Sequence, residues 1–125
     1  MPAEAFHARI AELPRESIAD GVLTRTAVRT DDAIVTFNWI RPGHPEVPPH
    51  DHPYDQLALI LAGTLELDLG GETYTVGAGE LLYIPAGVPH AGRVVGDEVV
   101  LNVDVFAPAR EDYLHLADHQ SGAGS

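Results

Sequence analysis

Between Leu57 and Phe106 the chain is cut at short, even intervals, and this rhythm limits the fold more than any other feature. Leu57 to Ala62 is an apolar run that Gly63 breaks. Leu65-Glu66-Leu67-Asp68-Leu69 then alternates strictly, Gly70-Gly71 follows, and Glu72 to Val76 returns to the turn Gly77-Ala78-Gly79-Glu80. Leu81 to Ile84 runs into Pro85. A period of two puts alternate side chains on opposite faces of a strand, and two glycines between such runs form a hairpin turn. His90 to Val95 and Val99 to Phe106, around Gly96-Asp97, read as one more hairpin. Val22 to Val28 and Ile34 to Ile40, around Thr30-Asp31-Asp32, read as another. Short strands at near-even spacing predict an all-β fold, an antiparallel sandwich or barrel of the jelly-roll type.

The 125 residues fit one domain, 1–125, with the barrel core expected at about residues 20–107. Phe6, Ile10 and Leu13 have helical spacing between Pro2 and Pro14, which predicts a short N-terminal helix. Arg41 to Pro49 holds four prolines and a glycine and reads as a loop. Beyond Pro108, Arg110 to Leu116 predicts a short helical tail, and Ser121 to Ser125 reads as a frayed or non-native end.

That loop leads into His50-Asp51-His52-Pro53-Tyr54-Asp55-Gln56. On a strand, His50 and His52 face the same side and present two imidazoles to one cavity, an arrangement suited to a metal ion. Pro53 ends that strand, Gln56 restarts it opposite the pair, and His90, behind the turn Pro85-x-Gly87, supplies a possible fourth donor. His-x-His alone is often structural. His7, His44, His115 and His119 lack such company and read as solvated or capping residues.

Composition removes several mechanisms. There is no Cys for a thiolate or disulfide and no Lys for a Schiff base, and none of Ser17, Ser121 and Ser125 lies in a nucleophile elbow. A formal net charge of −12, with seven arginines as the only fixed cations, argues against nucleic-acid and anionic-membrane partners. The N-terminus lacks an apolar leader and no apolar run reaches membrane-spanning length, so the expected location is the cytoplasm.

Gly43, His50-x-His52-x-x-x-Gln56 and Gly63 resemble the first motif of the cupins. Gly79 and Pro85-x-Gly87-x-x-His90 resemble the second. Two positions depart from the pattern: Gln56 stands where Glu is usual, and Val94 where an Asn commonly follows. One extra residue also separates Gly43 from His50. Within the cupins the chain is most similar to small KdgF-type proteins, which act on unsaturated uronates from pectin or alginate. The shared signs are His-Pro-x-x-Gln, Gly-Gly-Glu-Thr, Pro-x-Gly-Val-Pro-His and the ending Asp104-Val105-Phe106-Ala107-Pro108-x-Arg110-Glu111-Asp112-Tyr113. The resemblance implies a divalent metal, nickel, zinc, iron or manganese, on His50, His52, Gln56 and His90. It places Asp104, Phe106 and Arg110 at the family's functional positions and makes a homodimer the expected assembly, with strand Val22 to Val28 as a candidate edge.

The residues themselves bear on these roles. A neutral amide at Gln56 leaves an ion nearly its full charge, which favours Lewis-acid chemistry over higher oxidation states. Asn102, Asp104 and Phe106 share one parity; an inward Asp104 could serve as general acid or base, and an outward one is a surface carboxylate. Arg110 carries a fork suited to a carboxylate, unless it merely pairs with Glu111 or Asp112; Arg41 and Arg93 are weaker candidates. Tyr54, Tyr83 and Trp39 are expected to fill the barrel. The first expectation is thus a metal-dependent enzyme converting a 4,5-unsaturated uronate, a small anionic sugar, to linear 5-keto-4-deoxyuronate. A lyase of the hydroxynitrile-lyase kind, a dioxygenase and a non-enzymatic metabolite-binding cupin are the alternatives.

Overall fold

A computed structural model of the chain describes residues 4–44 and 47–123, without the side chains of 121–123. Nine strands follow in order: β1 (Glu16–Ile18), β2 (Leu23–Arg29), β3 (Ile34–Ile40), β4 (Asp55–Ala62), β5 (Thr64–Leu69), β6 (Glu72–Gly77), β7 (Leu81–Ile84), β8 (His90–Val95) and β9 (Val100–Ala107). They form a six-stranded sheet in the order β1-β2-β3-β9-β4-β7 and a three-stranded sheet in the order β6-β5-β8, with every pairing antiparallel. This is the jelly-roll barrel that the alternating runs predict.

The glycine-marked turns do two different jobs. Gly70 and Gly71 close a true hairpin between β5 and β6. Gly63 instead carries the chain from β4 in the large sheet to β5 in the small one. Its φ is +76°, and a Cβ there would meet the Val99 carbonyl oxygen at 3.0 Å, so only glycine fits this crossing. The predicted β8–β9 hairpin is corrected for the same reason. β8 pairs with β5 while β9 lies between β3 and β4, so the Gly96 turn also passes between sheets.

Apolar side chains from the two sheets meet in one cluster, with Ala58, Ile60, Ile84 and Val100 facing Leu65, Leu67 and Val76. A second cluster closes the end of the barrel, where Ala27, Ile34 and Phe106 pack against Leu116 of the tail. That tail is a 3-10 helix (Glu111–Ala117) followed by helix α1 (Asp118–Ala123), so part of the stretch expected to fray is helical. It occupies the edge of β2: His119 Nε2 lies 2.7 Å from the Ala27 carbonyl oxygen, and the Gln120 amide bonds both the N–H and the C=O of Arg29. β1 covers Leu23 to Arg25. The strand expected to offer a free edge to a second copy is therefore covered along its length, and the edges of the large sheet are β1 and β7.

The N-terminal helix is also corrected. Pro2 lies outside the described residues, and from Glu4 to Leu13 the only helical element is a single 3-10 turn, Ile10–Glu12, with no buried residue. A run this short holds a helix only if packing supports it, and Phe6 instead lies against the His119 ring, 5.7 Å between centroids. Among the described residues no helix is long and apolar enough to cross a membrane.

Candidate functional site

The register of the large sheet decides which side chains share its inner face. Arg25 of β2 stands opposite Asn38 of β3, which stands opposite Asn102 of β9. One step along, Thr36, Asp104 and Ala58 form the next row, and Ile34, Phe106 and Gln56 the row after that. Positions two apart on each strand share a face. A line of polar groups thus crosses the inner wall, ending in Asp104 beside Gln56.

The two histidine-bearing stretches meet at the other side of this line. His50 and His90 form an isolated antiparallel bridge, His50 N–H to His90 C=O at 3.0 Å and His90 N–H to His50 C=O at 2.9 Å. The Gly87 N–H, in a turn with φ +80°, holds the His52 carbonyl at 2.9 Å. His50 and His52 are therefore held by a bridge and a turn, not by the regular strand that their spacing suggests. The ring centroids lie 4.6 Å apart for His50 and His90, 4.8 Å for His52 and His90, and 6.2 Å for His50 and His52. His52, His90 and Gln56 are buried and His50 stands at the rim.

The hydrogen bonds orient these groups. His90 Nδ1 lies 2.9 Å from the Val88 carbonyl and His52 Nδ1 3.0 Å from the Tyr54 carbonyl. A carbonyl accepts only, so each Nδ1 carries a proton and each Nε2 is the ring nitrogen turned towards the site. The Gln56 amide donates through Nε2 to Asp104 Oδ1 at 2.8 Å, which turns its oxygen to His52 Nε2 at 3.0 Å. Two acceptors facing each other at that distance repel unless a proton or a cation lies between them. Burial, and then the neighbouring imidazoles, lower the His50 pKa; burial lowers that of His90 against the bond to Val88. Both stay neutral donors at neutral pH. Three imidazoles and an amide oxygen are a donor set that suits a divalent transition ion. Among the described residues no three His, Asp or Glu side chains are already closed around one point.

Asp104 is buried, and burial raises its pKa against the pull of its hydrogen bonds from Gln56 and Asn102. Asn38 Nδ2 lies 3.3 Å from its second oxygen. Of the two orientations that strand parity left open, the inward one is observed, and Asn102 and Phe106 line the same cavity. Phe106, 1% exposed, packs edge-on to His52 and Tyr113, with ring centroids 5.5 and 5.7 Å away. Arg110 also lines the cavity, but its fork is held by Asp112, at 2.8 Å from Nε and 3.2 Å from Nη2. The plain pairing considered for it in the sequence is formed. Arg93 sits on β8 with its guanidinium on Glu66 and Asp68, and it does not line the cavity.

His50, Gln56, His90, Asp104, Phe106 and Arg110 line one cavity of about 530 Å³. Its far wall is apolar, with Leu65 and Leu67 of the small sheet, Ile18, Leu23 and Ile40 of the large one, and Val22 from the turn before β2. Gly92 stands opposite Leu67, and a Cβ there would press on the Leu67 side chain at 3.1 Å, so the glycine keeps this wall recessed. Arg25 and Asn38 line the cavity and escaped the sequence reading, and His44, read there as solvated or capping, lines it too. The available signal was a cation and an amide on otherwise β-branched or apolar strands. Tyr83 and Trp39 do not fill the barrel: Tyr83 is 51% exposed, and Trp39 lies under the Arg15 guanidinium, 3.4 Å from its ring centroid.

Comparison with known proteins agrees with this architecture. A polyketide synthase named CurC from Streptomyces cyaneus is 34% identical over 91 residues, covering 70% of this chain and 58% of that one. The H2HPP isomerase of Bacillus subtilis is 33% identical over 69% of this chain, which spans only 36% of it. The chain thus spans less than two-thirds of the length of either relative. The pectin degradation protein KdgF of Dickeya dadantii is 27% identical, covering 82% of this chain and 93% of that one. Among solved structures, KdgF from Halomonas superposes with a TM-score of 0.78 at 22% identity, over 89% of this chain and all of the other. The family described as "Cupin domain" matches residues 39–106. That span runs from β3 through both histidine-bearing stretches to Phe106, and the chain belongs to the cupin family.

Proposed function

We propose that this cupin is a metal-dependent, non-redox enzyme that moves a proton on a small organic acid, and that its first substrate is a 4,5-unsaturated uronate. The observation that carries the reading is the buried Asp104 bonded to Gln56 beside three imidazoles. The two KdgF relatives, which align over nearly all of their own length, support the choice of uronate. His50, His52, Gln56 and His90 would hold the ion, which supplies Lewis-acid polarisation of a substrate oxygen.

Conversion of the unsaturated uronate to 5-keto-4-deoxyuronate is an isomerisation. The anomeric hydroxyl loses its proton, the bond from C1 to the ring oxygen breaks, C5 becomes a ketone, and C4 gains a proton. Asp104 is the group in the cavity suited to deliver or accept that proton, since burial keeps it protonated to higher pH than an exposed carboxyl. Gln56 and Asn38 hold its carboxyl in place. Phe106 closes one side of the pocket against water.

The apolar wall favours a second reading, a substrate with a hydrocarbon or aromatic body, in line with the polyketide relative and with RemF, a polyketide cyclase of Streptomyces resistomycificus with a TM-score of 0.69 and 26% identity. The deciding assay follows the ultraviolet absorbance of freshly generated 4,5-unsaturated galacturonate. Accelerated loss that a chelator abolishes supports the uronate. Unchanged drift, with the metal shown to be bound, removes it in favour of the second reading.

A further inference from the structure

Seven arginines serve a chain of formal net charge −12, and most have visible occupations. Arg93 is held by Glu66 and Asp68, Arg110 by Asp112, Arg9 by Glu12, and Arg15 lies on Trp39. Arg25 differs. It is half-buried on the inner face of β2 and lines the cavity. Its Nε donates to Asn38 Oδ1, and its guanidinium stands 4.5 Å from the centroid of the Tyr113 ring. Among the described residues it makes no ion pair, and its two Nη groups make no hydrogen bond. Glu16, opposite Arg25 in the strand register, is engaged 3.0 Å from His115 instead.

Arg110 lies over the same Tyr113 ring, 4.0 Å from its centroid, so two guanidinium groups converge there; Asp112 bonds only Arg110, while Asp104 and Asp112 reach Arg25 through their field and not through a hydrogen bond. A half-buried cation with an open pair of donors is a poor structural element and a good anion receptor.

We propose that Arg25 is the carboxylate anchor of this cavity. Its Nη groups take the carboxylate of a small organic acid, while the rest of that acid lies between the Leu65 and Leu67 wall and the imidazoles. This deepens the proposed function and rests on the cavity being the substrate site. It moves the clamp from Arg110, whose fork Asp112 already fills. It also explains how so acidic a protein admits an anion, because Arg25 answers the field locally.

The test is calorimetric titration of the metal-loaded protein with two inert pairs, galacturonate and its methyl ester, and 3-phenylpropanoate and its methyl ester. Wild type should prefer at least one acid to its ester by about 10- to 100-fold, the range of a charge-assisted bond. Arg25→Leu and Arg25→Gln should both lose that preference, and Arg110→Gln should keep it. A role confined to orienting Asn38 would instead weaken acid and ester alike. If Arg25→Leu folds poorly, Arg25→Gln, which can still reach Asn38, carries the test. A preference that survives in both Arg25 variants, that vanishes only in Arg110→Gln, or that wild type lacks for both pairs overturns the anchor. An Arg25-dependent preference without turnover of the unsaturated uronate overturns the uronate and leaves the anchor. Turnover with a preference indifferent to Arg25 does the reverse.

Discussion

The two walls of the cavity are built from the same kind of antiparallel sheet yet carry different side chains. The large sheet contributes Arg25, Asn38, Asn102, Asp104 and Gln56 in adjacent rows. The small sheet contributes Leu65, Leu67 and Gly92, and only His90, at the very start of β8, is a donor. Neighbouring central strands hold polar groups within hydrogen-bonding distance of one another, as Asn38 with Asp104 and Gln56 with Asp104 show. The small sheet keeps its cross-strand polar group, Arg93 with Glu66 and Asp68, off the cavity, and on its inner face apolar residues set the shape. Polar groups thus concentrate on one wall, while the other is apolar but for His90.

The strongest attack on that division is Asp104→Asn. Turnover of the unsaturated uronate should fall about 10²- to 10⁴-fold, the contribution of a positioned acid or base, with metal content by elemental analysis unchanged. Normal turnover would take the proton step away from the large sheet. Phe106→Ala, which empties a fully enclosed ring site beside His52, should cost about 3–5 kcal/mol in urea unfolding. On the opposite wall Leu67→Ala should cost about 2–4 kcal/mol and shift KM more than kcat, which marks shape and not chemistry. A larger effect of Leu67→Ala on kcat than on KM would erase the distinction.

Two pH responses sharpen it further. The lowered pKa values of His50 and His90 keep their lone pairs available, so metal should be retained on acidification until below about pH 6.5, the ordinary imidazole value. Loss of metal above that point would contradict the burial argument. The smallest effect belongs to Asp68, which Arg93 holds at about 2 against an ordinary 3.8. Between those values the unfolded chain binds the extra proton, so the stabilisation is present above 3.8 and fades as pH falls through 2. Arg93→Gln should remove that acid-side slope from the unfolding curves and leave substrate binding intact.

Much of this was legible in the sequence because it is local. The alternation of Leu65 to Leu69, the Gly70-Gly71 turn and the parity that places Asn102, Asp104 and Phe106 together all follow from a period of two. What escaped is set by partners far away in the chain. Gly63 and Gly96 look like the hairpin glycines, but the strands beside them choose mates in different sheets. Arg25 becomes a site residue only once β2 is registered against β3 and β3 against β9. The spacing of Phe6, Ile10 and Leu13 suggests a helix, yet no surface receives one, and the tail already covers β2.

The bridge between His50 and His90 spans the middle of the chain, and its closure has a kinetic meaning. Before β8 reaches β5 and the Gly87 turn reaches His52, a nascent chain offers scattered imidazoles and no pocket. Any guest that needs both histidine stretches side by side therefore finds its site only once that bridge has formed, and its capture is a readout of barrel closure.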